Sequence, residues 1–290
     1  MTDLSVLRER AKRIRLVATD LDRTLLDGKH CVPEENQKAL EACAARGLVL
    51  CAATGRAFSA LPEQVLRISG MRYLISSNGA KIHDNETGAL LRESYLSPEA
   101  IRAIWPLLSD PDVLCEFFWD GSPYVQADRY ERHEAIPDWF LDYFLESRNP
   151  VPDIAEAVDA HIHKIENVNF VFGTDEVRER IRAFLSAHGD LFEQCSSMPF
   201  NFEIGGKGVT KAAALDFLCA REGMEPADCL CFGDSENDAK MIAWAGIGVA
   251  VENAVPEAKA VADLITLDNE HSGVADALRA LALISEEYPT

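Results

Sequence analysis

At 290 residues the chain exceeds the usual size of one domain, and 48% hydrophobic residues give it apolar material for two folded units. Its 28 Lys and Arg face 48 Asp and Glu, a net charge of −20 that repels phosphate backbones and argues against nucleic acid as a partner. No apolar run approaches the roughly 18 residues of a membrane span, and Met1 to Arg15 is charged rather than signal-like, so a soluble, cytoplasmic protein is expected.

In chain order, apolar strands alternate with amphipathic helices from the start: strand 15–22, helix 33–46, strand 48–54, helix 58–69, strand 73–77. That rhythm predicts an α/β fold with a doubly wound parallel sheet. It returns near the end with helix 210–222, strand 228–232, helix 239–245 and strand 247–251, so residues 1–84 and 193–290 are expected to build one core. Between them the pattern changes. Hairpin-like stretches at 114–126, turning at Asp120-Gly121, and at 161–172 mix with helices 97–109 and 174–188, which predicts an inserted α+β domain over 85–192. Of the eight cysteines, Cys43, Cys51, Cys219, Cys229 and Cys231 lie in apolar stretches that suit reduced thiols, and the Cys229-x-Cys231 pair has no second pair with which to hold zinc.

Four short elements carry chemistry. Asp20 and Asp22 end the first strand, where residues two apart share a face, at the edge where doubly wound sheets bind ligands. Taken alone, such a pair also suits a solvated strand end or a turn cap. Thr54-Gly55-Arg56 ends the next strand and would bring a hydroxyl beside that pair, although Thr before Gly also suits a plain strand-to-helix turn, and Arg56 a solvated helix start. In Gly206-Lys207-Gly208-Val209-Thr210-Lys211, Lys211 falls on the first turn of a helix, where the dipole disfavours a cation unless an anion lies near; Lys207 competes for that role. Finally, Asp234 ends an apolar strand in Gly233-Asp234-Ser235-Glu236-Asn237-Asp238, and Asp238 follows one helical turn on. Two carboxylates about 5 Å apart repel by roughly 3 kcal/mol at an effective dielectric near 20, so four of them on one sheet edge call for a hard divalent cation, and an all-oxygen set suits Mg²⁺.

These four elements, in this order, resemble motifs I to IV of the haloacid dehalogenase superfamily, and most closely its Cof-type (subclass IIB) phosphatases. Ser77-Asn78-Gly79-Ala80, Gly246-Ile247-Gly248-Val249-Ala250-Val251, Asn253-Ala254 and Gly273-Val274-Ala275 extend the likeness to both ends of the chain. The resemblance implies a Mg²⁺-dependent phosphatase acting on small phosphorylated metabolites, with Asp20 as nucleophile and Asp22 as general acid/base. It further implies Thr54, Gly55, Lys211 and Asn237 around the phosphate, Asp20, the Asp22 main-chain carbonyl and Asp234 as metal ligands, and Asp238 as a direct or supporting acidic partner. The inserted segment resembles a C2-type cap. One departure stands out: the family has Gly after the second Asp, and this chain has Arg23.

From Glu86 to Asp190, 21 Asp and Glu stand against 9 Lys and Arg, a net of −12, which favours compact, singly phosphorylated, hydroxyl-rich ligands such as sugar phosphates over polyphosphates. A phosphomutase of the same fold is the rival activity, and a non-catalytic phosphometabolite sensor the rival class. Oligomeric state is not legible. His161 and His163 are expected to alternate on a strand without a third metal ligand, and Phe117-Phe118-Trp119 to fill the inserted domain's core.

Overall fold

The computed structural model describes residues 2–133 and 136–285. The chain begins with strands β1 (Leu16–Thr19), β2 (Val49–Ala53), β3 (Met71–Ser76), β4 (Lys81–Asp84) and β5 (Leu90–Glu93). It then forms β6 (Val113–Trp119), β7 (Ser122–Gln126), β8 (Asn149–Val151), β9 (Asn167–Phe172), β10 (Phe192–Cys195) and β11 (Asn201–Gly206), and returns with β12 (Cys229–Gly233), β13 (Ile247–Ala250) and β14 (Leu264–Ile265).

Two sheets result. The core sheet has the order β14-β13-β12-β1-β2-β3-β4-β5, parallel from β14 to β3 and antiparallel beyond; the cap sheet has the order β10-β11-β9-β6-β7-β8 and is antiparallel apart from the β7–β8 pair. Both ends of the chain therefore meet in one sheet, with β1 between β12 and β2.

Side chains alternate across that sheet as a strand requires. Val17 joins Leu7, Leu40, Leu50, Phe232 and Leu278 on one face, while Leu16 and Ala18 join Cys51, Tyr73, Leu215 and Cys231 on the other. Helices cover both faces, the doubly wound arrangement that a fully apolar strand demands. In the cap sheet, Phe117, Val168, Phe170, Phe202 and Ile204 face a separate apolar core with Ile101 and Ile181. Glu116, Phe118, Asn167, Asn169, Asn201 and Glu203 alternate with them, so the opposite face carries a polar patch beside a smaller apolar cluster of Leu114, Val125, Val171, Phe140 and Phe144.

Several expected elements change where prolines fall. The helix expected over 58–69 is a single tight turn, Phe58–Ala60, and a one-turn helix, Glu63–Leu66, because Pro62 separates them. Pro106 likewise ends the helix Pro98–Ile104 in a tight turn, Trp105–Ser109. The change of sheet falls after Glu93 and after Gly206; boundaries at 85 and 192 would put β5, β10 and β11 with the wrong sheet. His161 caps the helix Ile154–Ala160 and stacks on Trp119 at 4.9 Å, and His163 sits on the turn that follows, so neither is on a strand. Phe117 and Trp119 of β6 pack into the cap core as expected, whereas Phe118, also buried, lies on the opposite face of the sheet; β6 turns into β7 at Asp120-Gly121.

Candidate active site

Register brings the motif residues together. Thr19 at the end of β1 stands level with Phe232 of β12 and Ala52 of β2, so Asp20, Asp234 and Thr54 leave the sheet along one carboxyl edge. The Asp20 amide donates to Phe232 O at 3.0 Å, and the chain then turns through Leu21–Leu25 with Arg23 in the left-handed region at φ 61°.

Lys211 opens the helix Lys211–Glu222, whose first turn is fixed by Thr210, the Oγ1 of which accepts from the Ala213 amide at 3.1 Å. Its ammonium group, 1% exposed, donates to Asp20 Oδ1 at 2.6 Å and Asp238 Oδ1 at 2.7 Å. Lys207 is exposed and reaches Gly189 O instead, so the two lysines of that motif are told apart. Asp238 Oδ2 accepts from the amides of Asp234 and Ser235, which caps the helix Glu236–Trp244 and aims the second Asp of this motif at the first. Gly233 permits this approach, since a Cβ there would stand 2.4 Å from that of Asp238.

Oxygens of Asp20, Asp234 and Asp238 lie within 4.8 Å of one another. Asp234 Oδ2 is buried without a hydrogen-bond partner, and the nearest cation, Arg23 Nε, is 3.7 Å away. Burial, and then Asp238, push Asp234 up to about 7; burial and Asp238 also raise Asp20 well above the usual carboxylate range, although Lys211 opposes this. Lys211 is itself raised: burial lowers it, but Asp20 and Asp238 prevail. An all-oxygen cluster with one orphaned carboxylate oxygen fits a hard divalent cation such as Mg²⁺.

Asp22 departs from the expected pairing. Its carboxylate lies outside the cluster of three and is held by Arg56 through Nε at 2.7 Å and Nη2 at 2.5 Å, with His30 Nδ1 3.6 Å away. Burial would raise Asp22, but Arg56 overcomes this and holds the carboxyl well below the usual range. Arg56, 7% exposed, is thus part of the site rather than a solvated side chain, and its guanidinium lies 4.3 Å from the Tyr143 ring centre.

A cleft of about 60 Å³, room for a few waters, is lined on the core side by Asp20, Asp22, Thr54, Gly55, Arg56, Asp234, Ser235 and Asn237. Across it stand cap residues that the sequence reading did not single out: the aromatic Phe140, Tyr143 and Phe200 and the polar Arg148, Asn169, Ser197, Asn201 and Glu203. Arg148 is buried and held by Glu116 at 2.8 Å, with Tyr143 at 4.9 Å. The available signal was the period-two alternation Asn201-Phe202-Glu203-Ile204, which buries carboxylate and carboxamide groups on one strand face. A larger hollow of about 670 Å³, beside Asp110, Arg129 and Arg180, includes none of the motif residues.

A doubly wound core with an inserted α+β cap, and a lysine bonded to two carboxylates at the carboxyl edge of its sheet, suits an enzyme of the α/β class that handles phosphoryl groups. The family model for haloacid dehalogenase-like hydrolases matches residues 17–278, and the chain belongs to that family. Within it, the chain is a Cof-type phosphatase. It is 30% identical over 276 residues to the 5-amino-6-(5-phospho-D-ribitylamino)uracil phosphatase YcsE of Bacillus subtilis, covering 95% of this chain and 98% of that protein. A solved haloacid dehalogenase-like hydrolase from B. subtilis is 27% identical with a TM-score of 0.78 over 93% of this chain and 100% of its own. At 24% identity, the subclass IIB sugar phosphatase BT4131 shows the same fold, with a TM-score of 0.80 over 93% of this chain and 100% of its own. No helix among the described residues is long and apolar enough to cross a membrane.

Proposed function

We propose that the chain is a Mg²⁺-dependent phosphatase of small, hydroxyl-rich phosphate monoesters, sugar phosphates foremost, working through a phosphoryl group carried on Asp20. The observation that carries this is Lys211 bonded to both Asp20 and Asp238 while Asp234 Oδ2 lies beside them without a hydrogen bond. Asp20, the Asp22 main-chain carbonyl and Asp234 would hold the cation, with Asp238 in support. When bound, it neutralises the crowded carboxylates and the phosphoryl oxygens.

Asp20 attacks phosphorus as the bond to the leaving oxygen breaks, and Asp22, which must first part from Arg56 and take up a proton, gives that proton to the leaving oxygen. The Asp22 carboxylate then takes a proton from a water that attacks the same phosphorus. The Asp20–phosphorus bond breaks, phosphate leaves, and both aspartates regain their starting forms. Lys211 orients Asp20 and balances charge, Thr54 offers a hydroxyl to the phosphoryl oxygens, and Gly55 and Asn237 complete the rim. In its Arg56 pair Asp22 is the anion, the form the second half of this cycle needs.

The cap supports the substrate class. Asn169, Ser197 and Asn201 line the cleft with groups that bond hydroxyls, and both arginines there are already matched by carboxylates. The names of its relatives agree, one acting on a phosphorylated ribityl compound and one a sugar phosphatase. The test is phosphate release across a panel of sugar phosphates, nucleotides and cofactor phosphates in Mg²⁺, with Asp20→Asn beside wild type. The variant is expected to keep its fold and lose turnover; activity above a few per cent in a preparation free of deamidation sinks the assignment of Asp20.

A further inference from the structure

Glu203 lies on β11 of the cap, 4% exposed, and takes part in no ion pair among the described residues. A buried carboxylate without a counter-ion is costly unless its lone pairs are met by hydrogen bonds. Within the cap, Glu203 accepts from Asn167 Nδ2 at 3.0 Å, Asn201 Nδ2 at 3.1 Å and the Ser197 hydroxyl. The fourth donor comes from the core: Asn78 Nδ2, at 2.5 Å.

Asn78 sits at a junction. Its backbone is in the left-handed region, φ 56° and ψ 25°, a conformation Asn tolerates better than other residues with a side chain. Its amide donates to Thr54 O at 3.0 Å, and its Oδ1 accepts from Asn237 Nδ2 at 3.0 Å. Gly55 leaves the necessary space, since a Cβ there would stand 3.2 Å from both Asn78 Oδ1 and Glu203 Oε2. Thr54, Gly55 and Asn237 of the core thus meet the cap at one carboxylate.

We propose that Asn78 and Glu203 form the clasp that closes the cap and, in closing, sets the core's phosphate-side residues. This rests on the cleft between cap and core being where substrate binds. The cleft of about 60 Å³ has room for a few waters, so in this proposal the cap lifts to admit substrate in each cycle. On lifting, Glu203 keeps its three cap donors and exchanges Asn78 for water, while Asn78 loses the acceptor that fixes its carboxamide plane. Asn237 then loses its fixed partner. Closure and the ordering of the rim are one event, and Asn78 and Glu203 are positioning residues that never touch the reacting atoms.

The pair allows its polarity to be reversed. Asn78→Asp puts a carboxylate against Glu203; adding Glu203→Gln supplies a carboxamide that donates to the introduced carboxylate, which still accepts from Asn237. With p-nitrophenyl phosphate and Mg²⁺ on the full chain, Asn78→Asp is expected to lower kcat by roughly ten-fold or more with KM changed by less than about three-fold, and the double variant to recover most of that loss. Hydrogen exchange at the amides of Asn201–Gly206 should quicken in Asn78→Asp and return to wild-type rates in the double variant. Unchanged kcat in Asn78→Asp, or losses that multiply in the double variant, overturn the clasp. If wild type releases no phosphate from this probe, the phosphatase reading is at fault and the exchange rates alone decide the clasp: no quickening, or no recovery, overturns it.

Discussion

At the scale of single residues, the site concentrates negative charge and leaves one oxygen of Asp234 without a hydrogen bond. Because burial and Asp238 push this carboxyl up to about 7, protons compete with a cation below neutrality. The sign follows from linkage: without a cation, the folded chain holds a proton that the unfolded chain has released, so this group's contribution to stability falls as pH rises from about 4 to 7. Mg²⁺ binding relieves that loss. The rise in melting temperature on adding Mg²⁺ is therefore expected to be larger at pH 8 than at pH 6, and an equal rise at both counts against Asp234 as a ligand. Arg23 belongs at this scale too. The structure answers the departure from Gly by placing Arg23 in the left-handed region with its Nε 3.7 Å from Asp234, and Asn253 Nδ2 donating to its carbonyl at 2.8 Å. Gly takes that backbone without a steric cost of about 1 kcal/mol, and removes a cation from the cluster. Arg23→Gly should leave the melting temperature level or higher and lower the Mg²⁺ concentration that gives half-maximal activity; a higher Mg²⁺ requirement would show that Arg23 helps to build the site.

Elements place those residues, and here the sequence was uneven. The strands ending at Asp20, Thr54 and Asp234 were legible because their runs are apolar throughout, which only a sheet covered on both faces produces. Lys211 was legible from its place on a first turn, and Thr210 capping that turn shows why it holds still. Thr210→Ala should cost about 1 kcal/mol of stability, read as a lower urea midpoint at unchanged slope, and should lower kcat as the turn that aims Lys211 loosens. An unchanged kcat would mean that Asp20 and Asp238 hold the lysine without the cap. By contrast, the grip of Arg56 on Asp22 was hidden, because nothing local in Thr54-Gly55-Arg56 tells which way a long side chain turns. Glu203 and Asn169 were hidden for another reason: each meets its partners across strands far apart in the chain, and period-two alternation names a face but not what the face meets.

For the whole molecule, the two-part architecture was legible from the return of the strand–helix rhythm, while its seams were not. Nothing in composition marks Glu93 or Gly206, because β5 extends the core sheet before the chain crosses and β10 and β11 stay with the cap sheet after it. The catalytic groups proposed above lie outside 94–206, whereas much of the cleft's far wall lies within it. A core in which a short linker replaces those residues should keep hydrolysis of a generic aryl phosphate and lose most discrimination among sugar phosphates. Discrimination equal to that of the intact chain would remove the cap from specificity.

The interleaving of chain ends has a consequence for synthesis on the ribosome. β1 is among the first strands to emerge, yet one of its two neighbours, β12, lies more than half the chain downstream. Until then β1 exposes a bare hydrogen-bonding edge, the kind that recruits strands from other molecules. The cap strands are contiguous, so that sheet has all its partners before the core sheet has β12. Translation thus completes the cap sheet first, and Asp20 and Asp234 face each other only after the nascent chain has carried an open sheet through most of its elongation.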